Sequence, residues 1–404
     1  MNEFHQITLG EVLTLQRGFD ITKSIQADGD VPIVSSSGVS SYHDKWKVKG
    51  PGVIIGRKGT LGTVHFIRSH FWPHDTTLWV KDFKGNDPRF VSYLLKTLKL
   101  ENLDVGASNP TLNRNHIHKL RIIFPKKVDT QKRIGAILSA YDDLVESNQK
   151  RIALLERLAE DIYREWFVRF RFPGHQKAKF VKGIPFGWEV KRLGELVRTQ
   201  YGYTASAETE GDGPKFLRIT DIAPPAIDWE SVPHCKIAER DEEKYLLREG
   251  DIVVARTGAT VGYAKRINKH HPKTVFASYL VRLIPRRNRD AIYVGLSVER
   301  DAFKDFISMY VTGTAQPQAN ATTMALFPVL HPSEPVLNEF NRIAEPILDQ
   351  KETLLNHTAT LSLARNQLLP RLMSGKLSVE NLDIQFPPGM AEELNAEPTA
   401  STHA

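Results

Sequence analysis

The chain has 404 residues, 41% of them apolar and 25% charged, with a formal net charge of +7 and a pI near 9.2. This length allows two or more domains with buried cores, and the excess of positive charge favours an anionic partner. One cysteine, Cys235, excludes an intramolecular disulfide, and without a signal sequence or an apolar run of about 18 residues the chain is predicted to be cytoplasmic and outside membranes.

Residues 1–128 are predicted to form a compact mixed domain of short strands and turns. Apolar residues at 53–55 and 64–67 flank the turn Gly-Arg-Lys-Gly, which indicates a β-hairpin. An amphipathic helix is expected near residue 90, and a strand over 120–124 leads out of the domain.

Residues 129–172 are predicted to form one long helix. Its apolar residues alternate in steps of four and three, which is the heptad pattern of a helix that packs lengthwise on another helix. One polar residue, Asn148, lies in this seam. The apolar seam positions are Ile134, Leu138, Tyr141, Val145, Ile152, Leu155, Ala159, Ile162 and Trp166.

Residues 173–333 repeat the plan of the first domain and are predicted to form a second one. Leu-Gly-Glu occurs at 9–11 and again at 193–195, and Arg57-Lys-Gly59 corresponds to Arg256-Thr-Gly258. Near the end of each domain Asn109-Pro110 corresponds to Gln316-Pro317. The period is too long for a solenoid or a propeller, so we expect two copies of one module.

Residues 334–380 are predicted to form a second long helix, followed by a disordered tail at 381–404. The predicted seam of this second helix consists of Ile343, Ile347, Gln350, Leu354, His357, Leu361, Ala364 and Leu368. A shift of 209 positions aligns the two helices and places Asn148 on His357. We expect an antiparallel pair in which these two polar residues meet at the crossing and fix the register. The alternative is two unrelated amphipathic helices in separate cores.

The predicted fold class is therefore α+β, with two globular mixed α/β domains joined by an antiparallel coiled coil and an internal pseudo-two-fold. This order of domains and helices resembles the specificity subunit of type I restriction–modification systems. The resemblance also rests on the segments GASNPTLN and GTAQPQAN, on REWFVRFRFPG over 164–174, and on LLPRLMSGKL over 368–377. It covers about residues 5–380.

The resemblance implies that each globular domain is a target recognition domain that reads one half of a bipartite, asymmetric duplex DNA site. It implies a scaffold for two methyltransferase subunits and for restriction subunits. S-adenosylmethionine would be bound by the methyltransferase subunits and ATP with Mg by the restriction subunits, with no cofactor in this chain. The outer helix residues expected to dock these partners, or else to form i,i+4 pairs, are Arg151, Glu156, Arg157, Glu160 and Arg164.

Side chains that could contact DNA were sought in the predicted loops, because base edges and phosphates bind Arg, Lys, Asn, Gln, Ser and Thr. Each could equally be a solvated residue or a turn former. In the first domain they are Arg17, Lys23, Ser35, Ser36, Ser37, Arg57, Lys58, Thr60, Asn109, Thr111 and Asn113. In the second domain they are Tyr201, Tyr203, Arg218, Thr220, Arg256, Thr257, Thr260, Lys265, Ser278, Tyr279, Gln316 and Gln318.

Motifs for catalysis or for a resident metal are missing from the sequence: it has no Walker loop and no Asn/Asp-Pro-Pro-aromatic motif of adenine methyltransferases. Glu242 and Lys244 have the spacing of a nuclease metal site, with Asp221 as a third member, although such charge runs usually lie at exposed helix starts. We therefore predict a non-catalytic protein. The alternatives are an adaptor that binds protein or RNA with the coil as an assembly rod, and a fragment of a fused restriction–methylation enzyme.

Overall fold

The computed structural model describes residues 4–103, 111–223, 226–310 and 318–386. The chain divides into two compact units. The first unit joins Met1–Ser147 to Thr358–Ala404, and the second unit is Asn148–His357. Each unit therefore contains one globular part and half of each long helix.

Among the described residues, the globular part of the first unit contains nine strands and three short α-helices. Its sheets have the strand orders β2-β8-β5-β6, β4-β3-β7 and β1-β9. The helices are α1 Leu9–Val12, α2 Pro88–Thr97 and α3 Arg114–His118. The strands are β1 Phe4–Thr8, β2 Thr14–Arg17, β3 Val31–Ser35, β4 Gly38–His43, β5 Gly52–Gly56, β6 Val64–Ile67, β7 Trp72–Pro73, β8 Thr77–Asp82 and β9 Arg121–Pro125.

The predicted hairpin is confirmed, because β5 pairs antiparallel with β6 from Gly52 opposite Ile67 to Ile55 opposite Val64. All five residues of β5 are buried, which explains the continuous apolar run of that strand. The amphipathic helix is also confirmed as α2, with Phe90 and Leu94 buried in the core of the first unit.

The repeated Leu-Gly-Glu has the same structural role in both units. Glu11 accepts a hydrogen bond from the backbone N–H of Thr8 at 2.8 Å, and Glu195 accepts one from the backbone N–H of Arg192 at 2.7 Å. Gly10 lies so close to α3 that a Cβ would stand 3.1 Å from His118 Cβ. The motif therefore caps a short helical turn and packs it tightly, which accounts for its recurrence without any role in binding.

The globular part of the second unit repeats this arrangement. Its main sheet has the order β13-β18-β15-β16, beside the pairs β14-β17, β12-β19 and β10-β11. The helices are α5 Leu193–Leu196, α6 Ile219–Ile222, α7 Glu239–Tyr245, α8 Ala291–Glu299, α9 Asp301–Tyr310 and α10 Ala321–Ala325. The strands are β10 Phe180–Val181, β11 Ile184–Pro185, β12 Glu189–Arg192, β13 Val197–Tyr201, β14 Lys215–Leu217, β15 Ile252–Ala255, β16 Ala264–Arg266, β17 Thr274–Phe276, β18 Leu280–Pro285 and β19 Pro328–His331.

The two long helices are α4 Val128–Tyr163 and α11 Glu334–Met373, which confirms the two predicted helices with earlier ends. A π-helical turn, Arg164–Val168, follows α4. None of the helices among the described residues has the length and apolar character that a membrane crossing requires.

The helices pack antiparallel within each unit. In the first unit Arg365 of α11 pairs with Asp142 of α4, while Lys127, just before α4, reaches Glu380 beyond the end of α11 at 3.1 Å. In the second unit Lys351 of α11 lies 3.2 Å from Glu156 of α4. Further along α4 in that unit, the rings of Tyr163 and Trp166 pack on Phe340, near the start of α11. The predicted antiparallel pairing is confirmed.

The seam of α4 is confirmed in full: all nine predicted apolar positions and Asn148 are buried or half-buried. In α11 the predicted seam needs a correction, because Gln350 and His357 are exposed. The other predicted positions are confirmed, because Leu354 is buried and Ile343, Ile347, Leu361, Ala364 and Leu368 are half-buried. Lys351 and Leu355 are half-buried in place of Gln350 and His357, since a long lysine stem can bury its methylenes while its charge meets an acid.

The segments that follow the long helices complete the cores of the units. After α4, Phe167, Phe172 and Trp188 are buried in the core of the second unit. At the end of α11, Leu372 is buried with Val379 in the core of the first unit, together with residues from its globular part. The described residues end at 386, so the predicted disordered tail lies mostly outside them.

Candidate nucleic-acid interface

In the first unit, predicted DNA-binding residues converge on the carbonyl oxygen of Thr76, where β5 ends and β8 begins. That oxygen accepts hydrogen bonds from the backbone N–H groups of Arg57 at 2.9 Å and Lys58 at 3.0 Å, and from Ser36 Oγ at 2.7 Å. The Arg57 carbonyl in turn accepts the N–H of Leu112 at 3.1 Å. The backbone at this edge of the sheet is therefore fixed, and Arg57 and Lys58 project from it.

An ion pair between Arg17 and Asp75 borders this edge, with 2.7 Å between Nη2 and Oδ2. Burial alone would raise the pKa of Asp75, but the Arg17 guanidinium and His74 hold that pKa below its usual value. The ligand atoms of Asp20, His74 and Asp75 lie within 4.8 Å of one another. Arg17 already neutralises Asp75. These three residues therefore offer fixed charges and hydrogen-bonding groups rather than a set of free metal ligands.

The second unit brings the corresponding residues together in the same way. Arg256 donates its backbone N–H to the Tyr279 carbonyl at 3.0 Å, and its own carbonyl accepts the N–H of Ala319 at 2.9 Å. The Arg256 guanidinium lies 4.9 Å from the centre of the Tyr201 ring. Tyr201 and Tyr279 both expose about half of their surface, and the ring of Tyr201 is the one that stands beside the guanidinium.

Arg57 and Arg256 share a further property. Among the described residues, Arg57 Nη1 and Arg256 Nε are both buried and have no hydrogen-bond partner. A buried guanidinium N–H without an acceptor costs free energy, about 1–3 kcal/mol or more for a charged group. Arg89 and Arg282 also have a buried Nε without a hydrogen-bond partner, but among these four only Arg57 and Arg256 correspond to each other in the repeat.

The residues around these two arginines differ between the units at positions that correspond in backbone pairing. Arg17 opposite Leu78 corresponds to Tyr201 opposite Val281. Four such pairs line the edge: Arg17 and Tyr201, Lys58 and Thr257, Asp75 and Ser278, and Thr76 and Tyr279. Each unit therefore presents the same arginine in a different chemical setting.

Other predicted residues lie near this edge. Ser35 Oγ bonds to Ser37 Oγ at 3.1 Å at the end of β3, and the Thr60 carbonyl accepts a bond from Thr63 Oγ1 at 3.1 Å. Gln318 forms a bridge with Thr257 in the second unit. Thr111 lies outside the regular elements, Tyr203 forms a bridge with Ala277, and Thr260 ends the helical turn that begins at Gly258. Arg218 and Thr220 belong to α6, as its N-cap and its second residue.

Some predicted residues are placed elsewhere or serve the fold. Lys23 is in an exposed turn with no contact to the Thr76 edge. Lys265 of β16 is close enough to Glu299 and Lys351 to interact with their charges, on the side of the long helices. Asn113 is the N-cap of α3, where its side chain accepts the N–H of Asn115 at 2.9 Å. Asn109 and Gln316 fall outside the described residues.

The sequence reasoning did not single out His74, Asp75 and Thr76 in the first domain. They follow β7, which pairs with β3 over only two residues, so no long apolar pattern marks the strand. The alignment of the two domains could have found Thr76, because the corresponding Tyr279 was among the candidates.

The alternative of a nuclease metal site finds no support among the described residues. Asp221 is taken by Arg218, whose Nη2 lies 2.8 Å from Oδ1, and Glu242 pairs with Lys273 at 2.5 Å. The described His and acidic residues that lie close enough together to hold a cation are Asp20, His74 and Asp75, and this group includes neither Asp221 nor Glu242. The exposed helix start that was the other interpretation is confirmed as α7.

Comparison with known proteins shows what this chain is similar to. Residues 1–157 match the type I restriction modification DNA specificity domain. The type I restriction enzyme MjaIX specificity subunit of Methanocaldococcus jannaschii is 26% identical over 306 residues, which cover 72% of this chain and 70% of that protein. The HindI specificity subunit of Haemophilus influenzae is 20% identical over 335 residues, covering 66% of this chain and 71% of that one.

The fold has a solved counterpart. The S subunit of a type I restriction–modification system from M. genitalium superimposes with a TM-score of 0.66 at 16% identity, covering 92% of this chain and 96% of that one. At this identity the match establishes the fold alone. The chain is thus similar in sequence to type I restriction enzyme specificity subunits, most directly over residues 1–157, and has the fold of a solved S subunit.

Proposed function

We propose that each unit of this chain reads one half of a bipartite, asymmetric site in duplex DNA, through the edge of its main sheet that carries Arg57 or Arg256. The two sheet edges supply the two readers, and the long helices fix the number of unread base pairs between the half-sites. The protein acts in the cytoplasm, where its DNA is found.

The observation that carries this proposal is the pair of equivalent arginines with unpartnered buried N–H groups. A DNA phosphate offers the anionic oxygens that would satisfy them, and Arg is the side chain that best matches phosphate geometry. The same residue in both units cannot account for two different base sequences. We therefore assign Arg57 and Arg256 to the DNA backbone, where they position each unit.

The residues that differ between the units are assigned to the bases. Lys58 and Arg17 of the first unit suit guanine acceptors, whereas Tyr201, Thr257 and Tyr279 of the second unit offer hydroxyl groups and ring faces. Different chemistry at corresponding positions requires different half-sites. The complete site is then asymmetric, although the two units share a fold.

The long helices are proposed to bind two copies of a methyltransferase subunit, which carry S-adenosylmethionine, and through them restriction subunits that use ATP and Mg. Leu154 of α4 exposes 66% of its surface and Leu363 of α11 exposes 52%. The shift of 209 that aligns the helices places one leucine on the other. One isolated exposed leucine is ordinary, but a matched pair fits two copies of one partner.

Of the predicted docking residues, only some face outward. Glu156 is turned toward Lys351 and belongs to the contact between the helices. Arg164 pairs with Glu160 at 2.6 Å as an i,i+4 pair, which is the simpler interpretation of those charges.

The test is selection of a binding site from a randomised duplex library by the full chain with its methyltransferase subunits, followed by affinity measurements in a salt series. Arg57→Ala and Arg256→Ala should each weaken binding to every sequence and lower the slope of log K against log salt by about one phosphate contact. The selected sequence should stay the same.

The matched control is Lys23→Ala, which removes an exposed cation that makes none of the hydrogen bonds that fix the Thr76 edge. It should leave the slope unchanged. Equal slopes for wild type and both arginine variants would overturn the assignment, and failure to select any duplex sequence would favour an adaptor that binds protein or RNA.

A further inference from the structure

Three charged residues meet in the first unit where the globular part touches both long helices. Asp142 of α4 accepts a hydrogen bond from Tyr93 Oη of α2 at 2.6 Å. The same carboxylate pairs with Arg365 of α11, and Lys96 of α2 lies 3.9 Å away. An acid on α4 is thus held between a base on α11 and a base on the globular part.

The second unit contains the corresponding group with every charge reversed. Lys351 of α11 pairs with Glu156 of α4 at 3.2 Å, and its charge also acts on Glu299 at the end of α8. Burial alone would raise the pKa of Glu299, but Arg266 and Lys351 hold it below its usual value. A base on α11 thus pairs with an acid on α4, near an acid on the globular part that Arg266 holds at 3.0 Å.

The repeat maps one group onto the other. The shift of 209 that aligns the helices carries Asp142 to Lys351 and Glu156 to Arg365. Lys96 and Glu299 likewise occupy the last turns of the corresponding helices α2 and α8. In both units, therefore, α4 contributes the acid of the interhelical pair and α11 contributes the base.

We propose that this charge arrangement selects the partner of each long helix, so that α4 pairs with α11 and rejects a second copy of itself. Two copies of α4 in the same antiparallel register would set Asp142 against Glu156. Two copies of α11 would set Lys351 against Arg365. Like charges at an interhelical contact are a known device for excluding self-pairing.

These pairs are sheltered enough to matter. Lys351 exposes 14% of its side chain and Arg365 27%, so water screens them less than it screens fully exposed ions. Tyr93 also fixes Asp142 in place, so this carboxylate cannot easily turn away from an unfavourable neighbour. The consequence is that the long helices pair within one chain and not between two chains, an inference that does not depend on DNA binding.

The test inverts one member of each pair in the full chain. Glu156→Arg with Arg365→Glu leaves net charge unchanged, breaks both pairs within the chain, and gives each long helix one acid and one base. Each helix then complements a second copy of itself. We expect the wild type to sediment as one chain and the double variant to form concentration-dependent dimers that dissociate at 1 M salt.

Two further variants of the full chain serve as controls. Arg151→Glu with Glu345→Arg exchanges the same charge types at exposed positions of the same helices and should stay a single chain. Adding Asp142→Arg and Lys351→Glu to the double variant restores opposite charges between α4 and α11, and should restore the single chain despite four substitutions. If the double variant stays a single chain, or if the fourfold variant dimerises as well, charge matching does not select the partner.

Discussion

At the scale of the residue, comparison of the two units separates what supports the fold from what gives each unit its own character. Gly59 and Gly258 both have φ near +75°, the left-handed region that glycine tolerates, so their recurrence reflects the turn. Asn113 recurs as Asn320, and both cap the short helix that follows. Positions that recur without a structural task, such as Arg57 and Arg256, are the ones that point to a shared ligand.

Tyr279 is predicted to affect recognition of one half-site only. It is exposed on the second unit, next to Arg256, and its ring takes no part in the cores described above. Tyr279→Ala should relax base preference at one or two positions of that half-site, by about 1–3 kcal/mol per lost contact. Selection from a randomised duplex library measures this. A change in the other half-site would contradict the assignment.

Asp290 gives a prediction for pH. Burial would raise its pKa, but hydrogen bonds from His331 and Arg287 outweigh burial and hold the pKa below 3.8, the usual value. A lowered pKa in the folded state adds stability that is complete above the unfolded pKa and is lost as pH falls through the folded one. Asp290→Asn should therefore lower the unfolding free energy of the second unit by about 3 kcal/mol at pH 7.

The check on Asp290 is thermal unfolding of wild type and Asp290→Asn between pH 7 and pH 2.5. The difference between the two melting temperatures should stay constant down to about pH 4 and shrink below it. A difference that is independent of pH throughout that range would show that the Asp290 charge is not the cause.

At the scale of the element, the sequence predicted strands and helices wherever a local pattern determined them. The hairpin of β5 and β6 and the seam of α4 follow from periods of two and of about 3.5 residues, and both are confirmed. The inner face of α11 could not be predicted at Gln350 and His357. There the choice depends on Glu156 of α4, a residue almost 200 positions earlier, which draws Lys351 inward.

The C-terminal end of α11 is predicted to stabilise the first unit and not the second unit, Asn148–His357, which precedes it in the sequence. Leu372 is 1% exposed and packs in the core of the first unit. Leu372→Ala should cost about 3 kcal/mol, as buried leucines do. Hydrogen exchange should then speed up mainly in Met1–Ser147, whereas Leu382→Ala, at an exposed position, should change little. Faster exchange confined to Asn148–His357 would refute the assignment.

The two exposed leucines of the long helices are predicted to bind one partner each. Leu154→Asp and Leu363→Asp should each reduce the complex from two methyltransferase subunits to one, and the double variant should bind none. The mass of the complex, measured by light scattering, gives the stoichiometry. Gln149→Asp, at another exposed position of α4, is the control, and two bound subunits in every variant would exclude these leucines from the interface.

At the scale of the whole molecule, the repeat was evident in the sequence but the division into units was not. The sequence suggests domains in linear order, whereas each compact unit collects a globular part and halves of two distant helices. Contacts such as Arg365 with Asp142 create that division, and no local pattern encodes them. In the candidate site, both arginines could be predicted from the sequence because they recur in the repeat. Asp75 could not be predicted, because β7, the strand before it, is too short to leave an apolar pattern.

The central claim is that one chain reads two different half-sites. The most direct measurement is methylation mapping, by single-molecule sequencing, in cells that express this chain together with its methyltransferase subunit. The account predicts one new motif, composed of two short and different half-sites around an unread gap of fixed length. A single contiguous motif, two identical half-sites, or no new motif when both proteins are present would contradict it.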